Sequence, residues 1–157
     1  MTDATTDAAA SAATHPLIAQ LSTKHGFTQL GADDLDTFTA GPGHTLLVLT
    51  EDPLRVRETL DLAVIAPELV RAFPGRFRVG VLLPDAARAV QPRYGVRRWP
   101  ALVILRDGRY VGSVEGLRNW GEYIESFGQL LEAEPSRAPT IGVAIKTAGR
   151  STAGCGA

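Results

Sequence analysis

The sequence contains a single cysteine, Cys155, among its 157 residues. One thiol excludes an intramolecular disulfide, a CxxC pair and a cysteine-based zinc site. His15, His25 and His44 lack the spacing of metal ligands, and surface or capping roles are expected for them. A Ser-His-Asp set, a P-loop and a dinucleotide-binding glycine motif are also missing. We therefore expect no metal, no cofactor and no catalysis, and the enzymatic alternative is a single-thiol redox enzyme that uses Cys155.

The sequence has no excess of either charge and no long apolar run. Its formal net charge is −1, with 16 Lys and Arg against 17 Asp and Glu. This balance gives no basic face for nucleic acid. No apolar run approaches the roughly 18 residues of a membrane-spanning helix, so no membrane insertion is expected. Residues 1–14 have neither the basic nor the apolar region of a secretory signal, and the expected location is cytoplasmic.

Composition divides the chain into three parts. Residues 1–14 carry Ala, Thr, Ser and Asp with no large apolar side chain after Met1, which predicts a disordered lead. Residues 15–134 contain the periodic apolar pattern of one folded domain. Residues 135–157 are rich in Gly, Ala, Thr, Ser and Pro, with one weak apolar patch at 141–145. They are predicted to form a flexible tail.

Within the domain, helical and strand-like patterns alternate. The predicted order is helix, strand, helix, strand, helix, strand, helix, strand, strand, helix. Thr14 is expected to cap the first helix, and Asp85 to cap a short helix that ends before Pro92. A long helical pattern contains Pro67, which is expected to kink it. The last helix begins at Asn119, and its predicted apolar side comprises Trp120, Ile124, Phe127, Leu130 and Leu131.

The stretch from Tyr94 to Val114 gives the clearest structural pattern. The run Ala101–Leu105 is apolar throughout, which is typical of a strand buried on both faces. Asp107-Gly108 separates it from a second strand-like run, which predicts a hairpin. The earlier strand-helix-strand units require parallel pairing. The sequence therefore predicts an α/β fold with a mixed central sheet, helices on both faces and a C-terminal antiparallel hairpin.

Several short motifs within residues 45–131 resemble thioredoxin. Ala66-Pro67-Glu68-Leu69 resembles the A-P-x-L segment of the family's long helix, and Tyr94-Gly95-Val96-Arg97 resembles its Y-G-[IV]-R. Trp99-Pro100 stands at the family's cis-proline step, and Gly116 at the glycine before the last helix. The resemblance implies a thioredoxin-like fold with a cis Trp99-Pro100 bond.

The redox motif of thioredoxin is absent. Counting back from Ala66 places the C-x-x-C positions at Thr59-Leu60-Asp61-Leu62. Dithiol chemistry needs a thiolate of low pKa and a second, resolving thiol. Thr59 and Leu62 provide neither, which excludes dithiol oxidoreductase activity at this position.

Over residues 15–134 the chain resembles the HyaE/HupG/HoxO family of hydrogenase-maturation proteins, which lack these cysteines. The resemblance depends on His15-Pro16-Leu17-Ile18, on 47–53, on 66–69 and 99–102, and on the Asn119-Trp120 helix start. It implies a non-catalytic chaperone that binds the small-subunit precursor of [NiFe] hydrogenase, together with its twin-arginine signal peptide, before export. Other maturation proteins are possible further partners. A scaffold subunit of another complex is the remaining alternative.

The predicted partner-binding site has three groups of residues. One wall comprises Arg98, Trp99 and Pro100, where thioredoxins pair with an extended peptide. The vacant redox position contributes Thr59, Asp61 and Leu62. The third group is the acidic residues Glu51, Asp52, Glu58 and Asp61, which suit an arginine ligand. A second acidic candidate for such a ligand lies on the last helix and comprises Glu122, Glu125, Glu132 and Glu134.

Each part of this site also has a simpler explanation. Trp99 is equally compatible with a half-buried position that closes the groove, and either acidic group with a solvated helix face. Arg93, Arg97 and Arg98 would repel an arginine pair.

Overall fold

The computed structural model describes residues 15–140. The predicted lead 1–14, the apolar patch 141–145 and Cys155 lie outside the described residues. The elements follow the predicted order, with a short 3₁₀ turn, Ala32–Asp34, as the one addition. The helices are α1 Pro16–Thr23, α2 Leu35–Thr39, α3 Glu58–Ala72, α4 Pro84–Tyr94 and α5 Trp120–Glu132. The strands are β1 Thr28–Gln29, β2 His44–Leu49, β3 Phe77–Leu82, β4 Ala101–Arg106 and β5 Arg109–Glu115.

The five strands form one mixed sheet in the order β1-β3-β2-β4-β5. Strand β3 is parallel to β1 and β2, whereas β4 is antiparallel to β2 and β5. The β4–β5 turn has positive φ at Asp107 (53°) and Gly108 (80°), the conformation that favours Asp-Gly in a two-residue hairpin. This topology confirms the predicted thioredoxin-like fold.

Two apolar cores lie on opposite faces of the sheet. Side chains alternate between them along β2, with Leu46 and Val48 in the first and Leu47 and Leu49 in the second. Helices α1, α3 and α5 cover the first core, and α2 and α4 cover the second. Because successive side chains of a strand point to opposite faces, a strand between two cores is apolar at every position. This explains the continuous apolar runs in β2 and β4.

Two helix boundaries differ from the sequence predictions. Helix α1 is capped by His15, whose Nδ1 accepts a hydrogen bond of 3.2 Å from the Leu17 amide, which is one of the roles expected for the histidines. Thr14, which was expected to cap this helix, lies outside the described residues. Helix α4 begins after Leu83, with Pro84 at its first position, and continues through Pro92. Pro84 is preorganised for a first turn, which moves the start away from Asp85.

The apolar side of α5 also differs from the prediction. Trp120 is 47% exposed, whereas Tyr123 is fully buried together with Phe127. The buried residues Tyr123, Phe127 and Leu131 are four positions apart, which is the spacing of one helix face. The Tyr123 hydroxyl lies 3.2 Å from the Arg118 amide and 3.3 Å from the Gly116 carbonyl, so a tyrosine can be buried here with its polar group paired.

The first residues of the predicted tail lie against the domain. The Ser136 amide donates a 2.7 Å hydrogen bond to the Tyr110 carbonyl on β5. Further along, Pro139 lies so close to Gly95 that a Cβ on Gly95 would be 2.3 Å from the Pro139 oxygen. Residues 135–140 therefore contact the domain after its last helix.

A glycine pair tests whether residues 135–140 pack as described. Gly95 and Gly26 both have positive φ, 66° and 73°, but a Cβ on Gly26 would meet nothing within 4 Å. Gly26→Ala should cost only the left-handed backbone strain, about 1 kcal/mol. Gly95→Ala should lower the free energy of unfolding by at least about 1 kcal/mol more, because it also displaces Pro139.

Urea denaturation of both variants, with and without residues 135–157, measures this difference. The excess cost of Gly95→Ala should disappear in the shortened chain. Equal costs of the two variants in the full chain would contradict the contact between Pro139 and Gly95.

Candidate functional site

The strand register brings three loops together at one end of the sheet. Leu49 at the end of β2 pairs with both Leu82 at the end of β3 and Ala101 at the start of β4. Ala101 also pairs with Glu115, the last residue of β5. The loops 50–57, 97–100 and 116–119 therefore share this end, together with the first turns of α3, α4 and α5. We call this region the sheet-end corner.

The loop that precedes β4 contains the expected cis peptide bond, Trp99-Pro100. The Pro100 carbonyl accepts a 2.8 Å hydrogen bond from the Gly116 amide. One carboxylate oxygen of Glu115 accepts hydrogen bonds from the amides of Arg97 and Arg98, each 3.0 Å long. Two adjacent amides on one carboxylate fix the path of the loop. Glu115 was not predicted from the sequence, although an acidic residue directly before Gly116 was visible there.

Trp99 occupies an intermediate position between core and surface. Its side chain is half-buried and packs against the core on the α2–α4 face of the sheet. No hydrogen bond among residues 15–140 uses its backbone amide or carbonyl. Pro100 is buried beside it, and Arg98 is exposed. The loop of the predicted wall is therefore fixed by Glu115 and Gly116, while the backbone of Trp99 has no partner among the described residues.

The vacant redox position is divided between core and solvent. Thr59 and Leu62 are each 1% exposed, so neither presents its side chain to a partner. Glu58 and Asp61 are exposed on the first turn of α3. The Thr59 hydroxyl is buried and has no hydrogen-bond partner among the described residues. Helix α3 thus begins with a core residue where thioredoxins carry a reactive thiol.

Glu51 and Arg88 form an ion pair that joins loop 50–57 to α4. Arg88 Nε donates a 3.0 Å hydrogen bond to one carboxylate oxygen of Glu51, and Arg88 Nη2 donates to the other. The Asp52 amide also donates to Glu51, at 2.7 Å. Burial acts to raise the pKa of Glu51, but the hydrogen bonds from Arg88 and Asp52 and the charges of Arg88 and Arg55 outweigh it and hold this pKa below its ordinary value.

Asp52 stabilises the same loop from within. Its carboxylate accepts a 2.9 Å hydrogen bond from the Leu54 amide, and its carbonyl accepts from the amides of Arg55 and Val56. Glu51 and Asp52 are both buried, at 4% and 8% exposure. Of the four carboxylates expected to face an arginine ligand, these two are therefore already bonded within the protein.

The remaining charged candidates lie on the surface. Glu122, Glu125, Glu132 and Glu134 are exposed, and Glu122 caps α5 through the Asn119 amide. Arg93 is bound to Asp36 at 2.6 Å, which removes it from the corner. Arg97 and Arg98 are exposed and form no ion pair among the described residues. Charges at the corner outside any ion pair among the described residues thus include Glu58 and Asp61 on α3, Arg55 and Arg57 in the loop before it, and arginines on the β4–β5 side.

The described residues, 15–140, contribute no thiol to this corner. Among residues 15–140 there is no group of three His, Cys, Asp or Glu residues that could hold a metal ion. None of the helices described is long and apolar enough to cross a membrane. The sheet is thioredoxin-like, its cis-proline loop is fixed, and the redox position carries no thiol. The protein is therefore of the thioredoxin-like class that lacks the redox motif.

Comparison with known proteins identifies the family. The model of the family described as "Hydrogenase-1 expression protein HyaE" matches residues 17–123. The hydrogenase expression/formation protein HoxO of Cupriavidus necator is 37% identical over 135 residues, covering 85% of this chain and 84% of the relative. HoxO of Azotobacter vinelandii is 42% identical over 129 residues, covering 82% and 86%. The chain belongs to the HyaE family of hydrogenase expression proteins, which supports an accessory role in hydrogenase maturation.

A solved structure is also similar to this chain. It is a crystal structure of a hydrogenase expression/formation protein, HupG, from Rhodopseudomonas palustris, with 31% sequence identity. The match covers 66% of this chain and 94% of the HupG chain, with a TM-score of 0.48.

The ion pair between Glu51 and Arg88 leads us to predict how the free energy of unfolding depends on pH. Glu51→Gln should lower the free energy of unfolding at pH 7 by about 1–3 kcal/mol, less than for a fully buried pair because the Arg88 side chain is 36% exposed. Because the folded pKa of Glu51 is lowered, its contribution is complete above the ordinary value of 4.5 and is lost as the pH falls below it.

Urea denaturation between about pH 7 and pH 3 measures both effects, and the difference between wild type and Glu51→Gln should shrink toward the acidic end. Asp85→Asn is the matched control, because Asp85 also contacts Arg88 but its side chain is 50% exposed. This variant should change stability by less than about 0.5 kcal/mol. Equal effects of the two variants would contradict a special role for Glu51.

The unpaired hydroxyl of Thr59 makes a second prediction. Thr59→Val keeps the side-chain shape and removes the buried hydroxyl, so it should leave stability unchanged or raise it by up to about 1 kcal/mol. Thr59→Ser keeps the hydroxyl and loses a buried methyl group, so it should cost about 1 kcal/mol. Thermal denaturation of the two variants measures the difference. A clear loss of stability in Thr59→Val would mean that the hydroxyl has a bound partner.

Proposed function

We propose that this protein is a non-catalytic chaperone that binds the small-subunit precursor of a [NiFe] hydrogenase at the sheet-end corner. The observation that carries this proposal is the backbone of Trp99, which has no hydrogen-bond partner among residues 15–140, on a loop held by Glu115 and Gly116. Membership of the HyaE family supports the involvement with hydrogenase.

Backbone pairing is the physical basis of the proposed binding. An extended peptide that pairs with Trp99 gains main-chain hydrogen bonds, and adjacent side chains determine which peptide is preferred. The half-buried indole of Trp99 adds apolar contact area for the peptide. Its packing against the core keeps it in place when no peptide is bound. Because the loop is already fixed, binding costs little additional ordering of the protein.

The twin-arginine signal peptide is the proposed segment of the precursor, and its arginine pair would bind on the α3 side of the corner. Glu58 and Asp61 are the exposed carboxylates there, three residues apart on the first turn of α3, and therefore on one face. A guanidinium pairs with a carboxylate through two parallel hydrogen bonds. Because the precursor is bound before export, the proposed location of the complex is the cytoplasm.

Precursor binding tests this function. Calorimetry with the purified precursor should show binding that becomes at least about tenfold weaker without the signal peptide. Trp99→Ala should weaken binding by about tenfold, because an aromatic contact at the centre of the site is lost. Val64→Ser is the control, since Val64 is 53% exposed on α3 outside the corner loops. The double variant Glu58→Gln, Asp61→Asn should reduce the preference for the signal peptide.

Circular dichroism and thermal denaturation establish that each variant is folded before its affinity is compared. Equal binding of the precursor with and without its signal peptide would rule out signal recognition. Unchanged affinity in Trp99→Ala would remove Trp99 from the binding site.

A further inference from the structure

Large apolar side chains are exposed beside the cis-proline loop. Leu117 is 41% exposed in the loop after β5, and Trp120 is 47% exposed at the first position of α5. The Gly116 amide is bonded to Pro100, so this loop adjoins the one that carries Trp99. We call Leu117 and Trp120 the apolar patch. Exposed apolar residues that cluster beside a binding loop mark an interaction site.

Three exposed arginines surround the apolar patch. The amides of Arg97 and Arg98 are bound to the Glu115 carboxylate, and Arg118 Nε donates a 3.1 Å hydrogen bond to the Glu115 carbonyl. The Cδ of Arg98 lies 3.9 Å from where a Cβ on Gly116 would stand. These contacts place the three arginines around residues 115–118.

Two of the carboxylates near these arginines are engaged with main-chain amides, and a third, Glu125, is exposed and lines a cavity together with Arg118. Glu115 binds the amides of Arg97 and Arg98, and Glu122 binds the amide of Asn119. Neither carboxylate forms an ion pair with an arginine among the described residues. The guanidinium groups of Arg97 and Arg98 form no hydrogen bond among the described residues, and that of Arg118 uses only Nε, so a ligand carboxylate would complement all three.

We propose that the apolar patch and its arginines bind a segment of the partner polypeptide in which large apolar residues are flanked by Asp or Glu. This inference rests on the proposed function and adds a second recognition element to it. An arginine pair is repelled on this side; on the α3 side the exposed carboxylates of Glu58 and Asp61 stand beside the exposed Arg55 and Arg57, so an arginine there depends on direct contact with the two carboxylates. The corner thus selects two chemically different parts of one partner.

Charge disfavours two other occupants of the patch. The chain's own residues 141–157 contain Lys146 and Arg150 and no acidic residue. A second copy docked through the same patch would face arginines with arginines, because a two-fold interface is self-complementary. An acidic segment of a different polypeptide has neither conflict.

Three synthetic peptides with identical leucine positions test the inference. Their remaining positions are all glutamate, all glutamine or all lysine, and binding is measured by fluorescence anisotropy at low and high salt. The glutamate peptide should bind at least about tenfold more tightly than the lysine peptide at low salt, and added salt should reduce this difference. The glutamine peptide should lie between them.

Two variants and one control show which residues cause the preference for glutamate and the apolar contact. The double variant Arg97→Gln, Arg98→Gln keeps the backbone bonds to Glu115 and should abolish most of the preference for glutamate. Leu117→Ser should weaken all three peptides by about threefold or more, because it removes apolar contact area. Arg109→Gln is the matched control, since Arg109 is exposed at the opposite end of β5 and should change nothing.

The outcomes separate this inference from the proposed function. If the precursor binds wild type and the double arginine variant equally, and the peptides show no preference for glutamate, the inference is wrong and the function stands. If the precursor does not bind wild type, the proposed function fails, while the peptides still report on the patch. Dimerisation that Leu117→Ser abolishes, or tighter peptide binding after removal of residues 141–157, would assign the patch to another occupant and overturn the inference.

Discussion

The carboxylate of Glu115 is the contact on which the corner depends. It lies at the end of β5, and it holds the amides of Arg97 and Arg98 while the neighbouring Gly116 amide holds the Pro100 carbonyl. The hairpin that joins β4 to β5 therefore fixes the loop that precedes it in the chain. A loop held by the sheet itself needs neither a disulfide nor a metal to keep its shape, and it can present an unpaired backbone to a ligand.

The α3 side of the corner differs from the same region of a redox-active thioredoxin. Thr59 and Leu62, at the positions of the two thiols, belong to the core, and the loop before them is held by the ion pair between Glu51 and Arg88. A reactive thiol has to be exposed and close to positive charge. Here the positive charge of Arg88 is engaged by a buried carboxylate. In this region a buried helix start and an ion-paired loop stand where a redox protein has its reactive thiols.

The sequence predicted those parts of the molecule that depend on neighbouring residues. The apolar run of β4 and the Asp107-Gly108 turn were expected because periodicity and a short turn motif carry them, and the cis bond at Pro100 was expected from the resemblance to thioredoxin. The pairing of Glu51 with Arg88 joins residues 37 positions apart, and that of Glu115 with Arg97 joins residues 18 apart. No local pattern indicates such partners, so Glu51 was expected to be available to a ligand and Glu115 was missed.

The segment after α5 has a consequence for how the protein behaves at high concentration. Strand β5 is the last strand of the sheet, and an open outer strand is a template for uncontrolled pairing with other chains. The Ser136 amide occupies the Tyr110 carbonyl on this strand, and a register irregularity at Ile104/Leu105 interrupts the ladder beside it. The chain's own residue 136 therefore takes up one main-chain group at the outer edge of β5, which leaves fewer groups there for another chain to pair with.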